Sequence, residues 1–135
     1  MTKLYRVILP VTDIDQAQQF YADLLGIEGE RISDGRHYLD LGGTILALYD
    51  PVADGDGAAG GWRHHPNQYI YIAVGDLDGA LSRARAAGAT LQSEGIEEMP
   101  WGERLFYALD PSGNPICLVD QDTLFLGHVR PEDKT

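Results

Sequence analysis

The strongest constraint on this chain is an internal repeat. Val11, Asp13, Ile14, Asp15 and Ala17 recur as Val74, Asp76, Leu77, Asp78 and Ala80, all at one constant offset. The surroundings recur with them. In each copy an alternating, strand-like stretch precedes the matched residues, a helical apolar stripe overlaps them, and three strand candidates follow. At 135 residues the chain is one compact unit, or two small modules that share a core. The repeat predicts an α+β fold. Two tandem β-α-β-β-β modules form a curved, partly closed, mixed or antiparallel sheet, with the helices outside.

The pattern places the elements. Leu4 to Val11 alternates, with Val7, Leu9 and Val11 on the face expected to pack on a helix and Arg6 and Ile8 on the concave face. Pro10 lacks an amide donor, so this strand lies at an edge or ends there. Thr12 to Asp15 offers N-cap residues, and Ile14, Ala17, Phe20, Tyr21, Leu24 and Leu25 share one stripe before Gly26, which predicts a helix over 14–25. Strand candidates 28–33, 37–41 and 44–49 are punctuated by Asp34-Gly35 and Gly42-Gly43. In the second half, Gln68 to Val74 alternates, and a helix opens at Asp76 and stops at Gly88. Strands follow over 90–94, 104–109 and 115–119. Between the last two lies Asp110-Pro-Ser-Gly-Asn114, a tight turn in which Pro111 presets φ and Gly113 and Asn114 tolerate positive φ.

These elements divide the chain into a first module (1–52), a glycine-rich linker (53–66), a second module (67–122) and a C-terminal tail (123–135), with one structural domain over 1–122. The linker core, Asp54 to Gly61, buries too little to order itself and is expected to be mobile. The formal net charge is -11 with no basic cluster, which argues against nucleic acid and anionic membrane and favours cationic or neutral ligands. No apolar run reaches membrane-spanning length, and the N-terminus has no signal-peptide core, so a cytoplasmic location is expected. The single cysteine excludes an internal disulfide and a cysteine-based zinc site.

Val11-Thr-Asp-Ile-Asp15, Phe20-Tyr-Ala-Asp-Leu-Leu-Gly26, Val74-Gly-Asp-Leu-Asp78, Ala86-Ala-Gly88 and Asp110-Pro-Ser-Gly-Asn114 together resemble the vicinal oxygen chelate superfamily. It contains glyoxalase I, extradiol dioxygenases, and fosfomycin- and bleomycin-resistance proteins. Metalloenzymes of that superfamily hold an ion in the concave sheet with His, Gln or Glu on the first and last strands of each module. The resemblance puts those positions at Arg6, Ala47, Tyr69 and Cys117. Arginine brings a fixed positive charge, alanine offers no donor, tyrosine is rarely ionised at neutral pH, and one cysteine cannot hold an ion alone. The expectation is therefore no metal and no other cofactor.

Without a metal, the alternation gathers Arg6, Ile8, Tyr49, Tyr69, Tyr71, Cys117 and Val119 in one aromatic-lined cavity suited to a small organic molecule. The plainer reading is a closed core in which the tyrosines are filler and Arg6 pairs with Asp40 or Glu103. Pro100-Trp101-Gly-Glu-Arg104 resembles the bleomycin-resistance-like branch, whose members bind a ligand without transforming it. Trp101 either stacks on a ligand at the cavity mouth or covers a junction or subunit interface. His37 and Arg104 complete the candidate ligand-binding set. His37 is read as a polar cavity or edge residue, His64, His65 and His128 as surface, and Trp62 as a lid residue or a surface anchor. Cys117 is a nucleophile only with a cation or histidine in reach, and otherwise small apolar filler.

The leading expectation is a metal-independent small-molecule-binding protein, with a homodimer implied by the resemblance. The alternative is a lyase, isomerase or dioxygenase-type enzyme of the same fold, with Arg6 stabilising an oxyanion and a tyrosine, His37 or Glu103 moving protons. A packed-shut interaction module is the third.

Overall fold

The computed structural model describes residues 2–57 and 65–125. Trp62, His64 and His128 lie outside the described residues, as does half of the glycine-rich linker. The first module runs β1 (Arg6–Pro10), α1 (Ile14–Leu25), β2 (Glu30–Ser33), β3 (Arg36–Leu41) and β4 (Thr44–Tyr49). The second runs β5 (Ile70–Val74), α2 (Leu77–Ala87), β6 (Thr90–Leu91), β7 (Glu97–Glu98), β8 (Arg104–Leu109) and β9 (Pro115–Asp120), closed by a 3₁₀ turn over Gln121–Thr123. The fold is α+β, with the tandem order that the repeat predicts.

Both helices are set by the repeated aspartates. Asp13 accepts the Asp15 and Gln16 amides ahead of α1, and Asp76 accepts the Gly79 amide ahead of α2. Each satisfies amides that the helix itself leaves unpaired. Gly26 and Gly88 stop the helices in the left-handed conformation that glycine adopts without strain.

Each module forms its own mixed sheet, ordered β1-β4-β3-β2 and β5-β9-β8-β6, with β7 also on β8. The first strand of each module pairs parallel with its last, because the helix carries the chain back over the sheet before the hairpins form. Where one strand was expected over 90–94, β6 pairs with Leu109 and Ala108 and β7 with Leu105 and Arg104, so two short strands share the edge of β8. Ser93 Oγ bonds the Gly95 carbonyl inside the break.

The expected enclosure does not form within one chain: the two sheets are separate and not closed on each other. Both helices and the helix-bearing sides of both sheets share one core, including Leu9, Leu24, Leu39, Leu48, Ala80, Phe106, Ile116 and Leu118. Each buried leucine or isoleucine contributes about 1.5–3 kcal/mol of transfer free energy, so this shared core accounts for the coupling of the modules. The other sheet faces turn out of that core, which leaves Ile8 and Tyr71 45% and 59% exposed.

The Asp110 turn fastens the second module to the first. Asp110 Oδ1 accepts the Ser112 and Asn114 amides, and Oδ2 accepts the Tyr21 hydroxyl from α1 at 2.7 Å. Asn114 Nδ2 donates to the Pro10 carbonyl at the end of β1 and to Asp110 Oδ2. Only Gly113 takes positive φ in this turn; Asn114 serves as a donor instead. Among the described residues, no helix is long and apolar enough to cross a membrane.

Candidate functional site

The residues expected to share one cavity divide between the two sheets. On the first sheet, β1 presents Arg6 and Ile8 beside Ala47 and Tyr49 of β4 and Tyr38 of β3. Arg6 donates to the Tyr38 hydroxyl at 3.2 Å, and its guanidinium stands over the Tyr5 and Tyr38 rings at 5.3 and 5.5 Å. It pairs with neither Asp40 nor Glu103. Tyr49 bonds Asp56 and lies under Arg36 at 4.4 Å. That bond raises the Tyr49 pKa, with Asp56 as the largest cause. Asp54, expected in a mobile loop, instead accepts the Gly35 amide and pairs with Arg36.

On the second sheet, Tyr71 and Tyr107 flank Cys117 in register. Leu105, Cys117 and Val119 form a small buried cluster there, packed by Tyr69, Met99, Tyr107 and Leu124. The Tyr69 and Tyr107 rings meet edge-on at 5.1 Å, and the Tyr69 hydroxyl donates to Gln92 Oε1 at 2.6 Å. Above this floor lies a hollow of about 420 Å³ lined by Tyr71, Trp101, Glu103, Leu105, Tyr107 and Phe125.

Cys117 is fully buried, and its thiol is pushed up to about 12, first by burial and then by the carboxylates of Glu103 and Glu97. A thiol so held is protonated at neutral pH and is a poor nucleophile. Burial likewise pushes the Tyr107 hydroxyl up to about 12, helped by the neighbouring Tyr71 and Cys117.

Two sequence candidates stand elsewhere. His37 faces the helix-side core rather than the concave side, opposite Leu48, and is only 2% exposed. Its Nε2 bonds the Glu28 carbonyl at 2.7 Å, and its buried Nδ1 has no partner among the described residues. Arg104 lies on the face of β8 opposite Leu105, donating to Asp120 at 2.9 Å and standing 3.9 Å from Asp78 of α2.

Tyr107, Leu105, Phe125 and Tyr38 were missed by sequence reasoning as site residues. The first two were accessible, because a hairpin through the Asp110 turn places Tyr107 opposite Cys117. Phe125 follows the last predicted strand and carried no signal.

A larger cleft of about 750 Å³ lies along the free edge of β5, between Leu24, Ile27, Ile45 and Arg83. The smaller hollow is the better functional candidate, because aromatic faces and a carboxylate converge on it. The edge cleft is walled chiefly by aliphatic side chains and strand backbone.

The family-implied metal positions do not fit a divalent ion. Arg6 is a cation engaged with Tyr38, Ala47 has no donor, Tyr69 already bonds Gln92, and the Cys117 thiol is held protonated. Among the described residues, no three His, Cys, Asp or Glu side chains are grouped so as to hold an ion.

Two pseudo-equivalent βαβββ modules with an outward sheet face on each define the class. Residues 3–118 match the model of the Glyoxalase/Bleomycin resistance protein/Dioxygenase superfamily, and the chain belongs to that superfamily. No curated protein matches it. Among solved structures, it is similar to a glyoxalase/bleomycin resistance protein/dioxygenase family enzyme from Burkholderia phytofirmans, with 22% identity and a TM-score of 0.76 over 91% of this chain and 100% of that one. A superfamily member from Sphaerobacter thermophilus is 27% identical, with a TM-score of 0.65 over 90% and 98% of the two chains. A lactoylglutathione lyase from Agrobacterium tumefaciens is 22% identical, with a TM-score of 0.66 over 90% and 96%. The two matches at 22% identity speak to fold alone.

Proposed function

We propose that this protein binds a small organic molecule without the superfamily's usual metal ligands, in the hollow on the outward face of its second sheet. The observation that carries the reading is the arrangement over Cys117, where Tyr71, Trp101, Tyr107 and Phe125 surround about 420 Å³ and Glu103 supplies one oriented polar group. Pockets of this size with mostly aromatic walls and few polar groups suit small ligands. A covalent role for Cys117 is disfavoured by its protonated, buried state. Both outward sheet faces carry exposed apolar side chains, including Ile8, Tyr71 and Trp101. A homodimer in which the first sheet of one chain covers the second sheet of the other completes the groove and places Arg6 at its rim.

The test is a thermal-shift screen of the metal-free protein against small metabolites and antibiotics, repeated on Trp101→Ala and Tyr71→Ala. Both side chains are more than half exposed, so both variants fold. A ligand for this hollow raises Tm in the wild type by mass action and loses most of that effect in both variants. Hits unaffected by either substitution but abolished by Arg6→Ala move the site to the first sheet and refute the assignment.

A further inference from the structure

The hollow on the second sheet holds a charge that no ion pair among the described residues neutralises. Glu103 is partly buried, and both its oxygens are engaged: Oε1 accepts from Trp101 Nε1 at 2.7 Å and Oε2 from the Phe125 amide at 3.2 Å. Both donors are neutral, so they fix the carboxylate without cancelling its charge. Each oxygen still has acceptor capacity, because an ionised carboxylate has about four lone-pair sites. Among the described residues, the ion pairs of Arg31, Arg36 and Arg104 go to Asp15, Asp54, Asp56, Asp78 and Asp120, and none reaches Glu103 or Glu97. Glu97, on β7, pairs in register with Leu105 at the floor of the hollow. The influence of both carboxylates on the thiol of Cys117 shows that their field reaches that floor.

The walls act in the same direction. Tyr71, Trp101, Tyr107 and Phe125 line the space, and aromatic faces carry negative potential that attracts a cation within about 6 Å of the ring centroid. Among the described residues, no basic side chain lines the hollow. An anionic ligand there meets Glu103 and Glu97 with no cation among the described lining residues to offset them, whereas a cation gains from the carboxylates and the rings together.

We propose that the hollow binds a compact organic cation, a substituted ammonium, with Glu103 as its counter-charge and the aromatic rings as its walls. The inference rests on the function proposed above and narrows its ligand class. Within one chain Arg6 does not oppose it, since Arg6 lies on the other sheet; in the homodimer proposed above, the second copy's Arg6 would compete with the ligand at the rim.

The test is an NMR titration of the full-length, metal-free protein with choline and with its uncharged carbon isostere, 3,3-dimethylbutan-1-ol. Benzoate is the anionic control. The expected result is saturable shifts at the Trp101 indole and at Tyr71 and Tyr107, with choline binding at least ~10-fold tighter than the alcohol. Glu103→Gln brings that ratio close to unity while leaving the affinity for the alcohol unchanged. Should Glu103→Gln fold poorly, Glu97→Gln and a rise in salt to 0.5 M serve instead. Each weakens choline binding selectively, because both act on charge alone.

Equal binding of the alcohol, or a preference for choline that survives all three perturbations, overturns the cation assignment. Binding of benzoate or the alcohol to the same residues without choline overturns it too, while keeping the hollow as a ligand site. If no probe moves these residues, the site reading itself fails. If choline binds only to the Arg6→Ala variant of a dimer, the cation is a second copy's guanidinium, and the proposal of a free ligand is wrong.

Discussion

Replacing Tyr21 with phenylalanine removes one oxygen from the place where the two modules are fastened. The Tyr21 side chain is fully buried, with its ring edge-on to Phe20 at 4.9 Å, so phenylalanine keeps the packing. What is lost is the hydroxyl that donates to Asp110 Oδ2 at 2.7 Å. Asp110 is 3% exposed and keeps three other donors, from the Ser112 and Asn114 amides and the Asn114 side chain. A hydrogen bond to a charged group contributes about 1.5–3 kcal/mol net, and three remaining donors limit the penalty on the carboxylate. The expected loss is therefore about 2 kcal/mol. Asp110→Ala takes the acceptor from the Tyr21 hydroxyl and from the three other donors, so it costs more, about 3–5 kcal/mol. Urea unfolding measures both, with the midpoint falling at unchanged slope. The double variant tests coupling, and Tyr21→Phe made on the Asp110→Ala background costs little, because the bond is already gone. A Tyr21→Phe loss below about 0.5 kcal/mol, or full additivity in the double variant, would refute this account of how the modules are joined.

Four further predictions follow from the same geometry. The folded-state pKa of Cys117, about 12 against an ordinary 9.0, means the folded thiol keeps its proton where the unfolded thiol loses it. Stability is then unaffected below pH 9 and declines above it by about 1.4 kcal/mol per pH unit, a slope that Cys117→Ala removes between pH 9 and 10. The same burial leaves the folded thiol unreactive to a thiol reagent at pH 8, and reaction within seconds in the absence of denaturant contradicts it. Gly35→Ala places a methyl 2.2 Å from the Asp50 carbonyl and 2.8 Å from the Asp54 backbone, and so destabilises by about 1–3 kcal/mol in urea unfolding. Ile8→Glu puts a charge on the outward face of the first sheet; if the proposed homodimer forms through that face, light scattering gives a dimer mass for the wild type and a lower mass for the variant, and an equal mass for both refutes that interface.

How much the sequence revealed depended on how local the cause was. The α1 boundaries follow from Asp13, the apolar stripe and Gly26, all adjacent in the chain, and the predicted 14–25 span is the observed one. The concave placement of Cys117 followed from period-two alternation together with the repeat. Alternation states which side of its own sheet a residue takes, but it does not state which way two sheets face each other. That orientation is decided by long-range contacts such as Tyr21 with Asp110 and Asn114 with Pro10. The expected single cavity uniting Arg6 with Cys117 therefore became two outward faces. His37 was misplaced for a different reason. Its polarity suggested a cavity, whereas alternation along β3 puts it beside the core, where the Glu28 carbonyl satisfies one ring nitrogen. The partner of Asp54 was hidden because the glycines around it suggested mobility, while the Gly35 turn that binds it lies far upstream in sequence.

The central claim, a ligand hollow on the second sheet that works without a metal, is tested most directly by mapping the binding of a thermal-shift hit by amide chemical shifts after exhaustive chelation. The account predicts that the largest shifts fall on Trp101, Glu103, Leu105 and Tyr107 and persist in the chelated protein. Shifts centred on Leu24, Ile70 and Arg83 along the β5 edge, or binding restored only by a divalent ion, would contradict it.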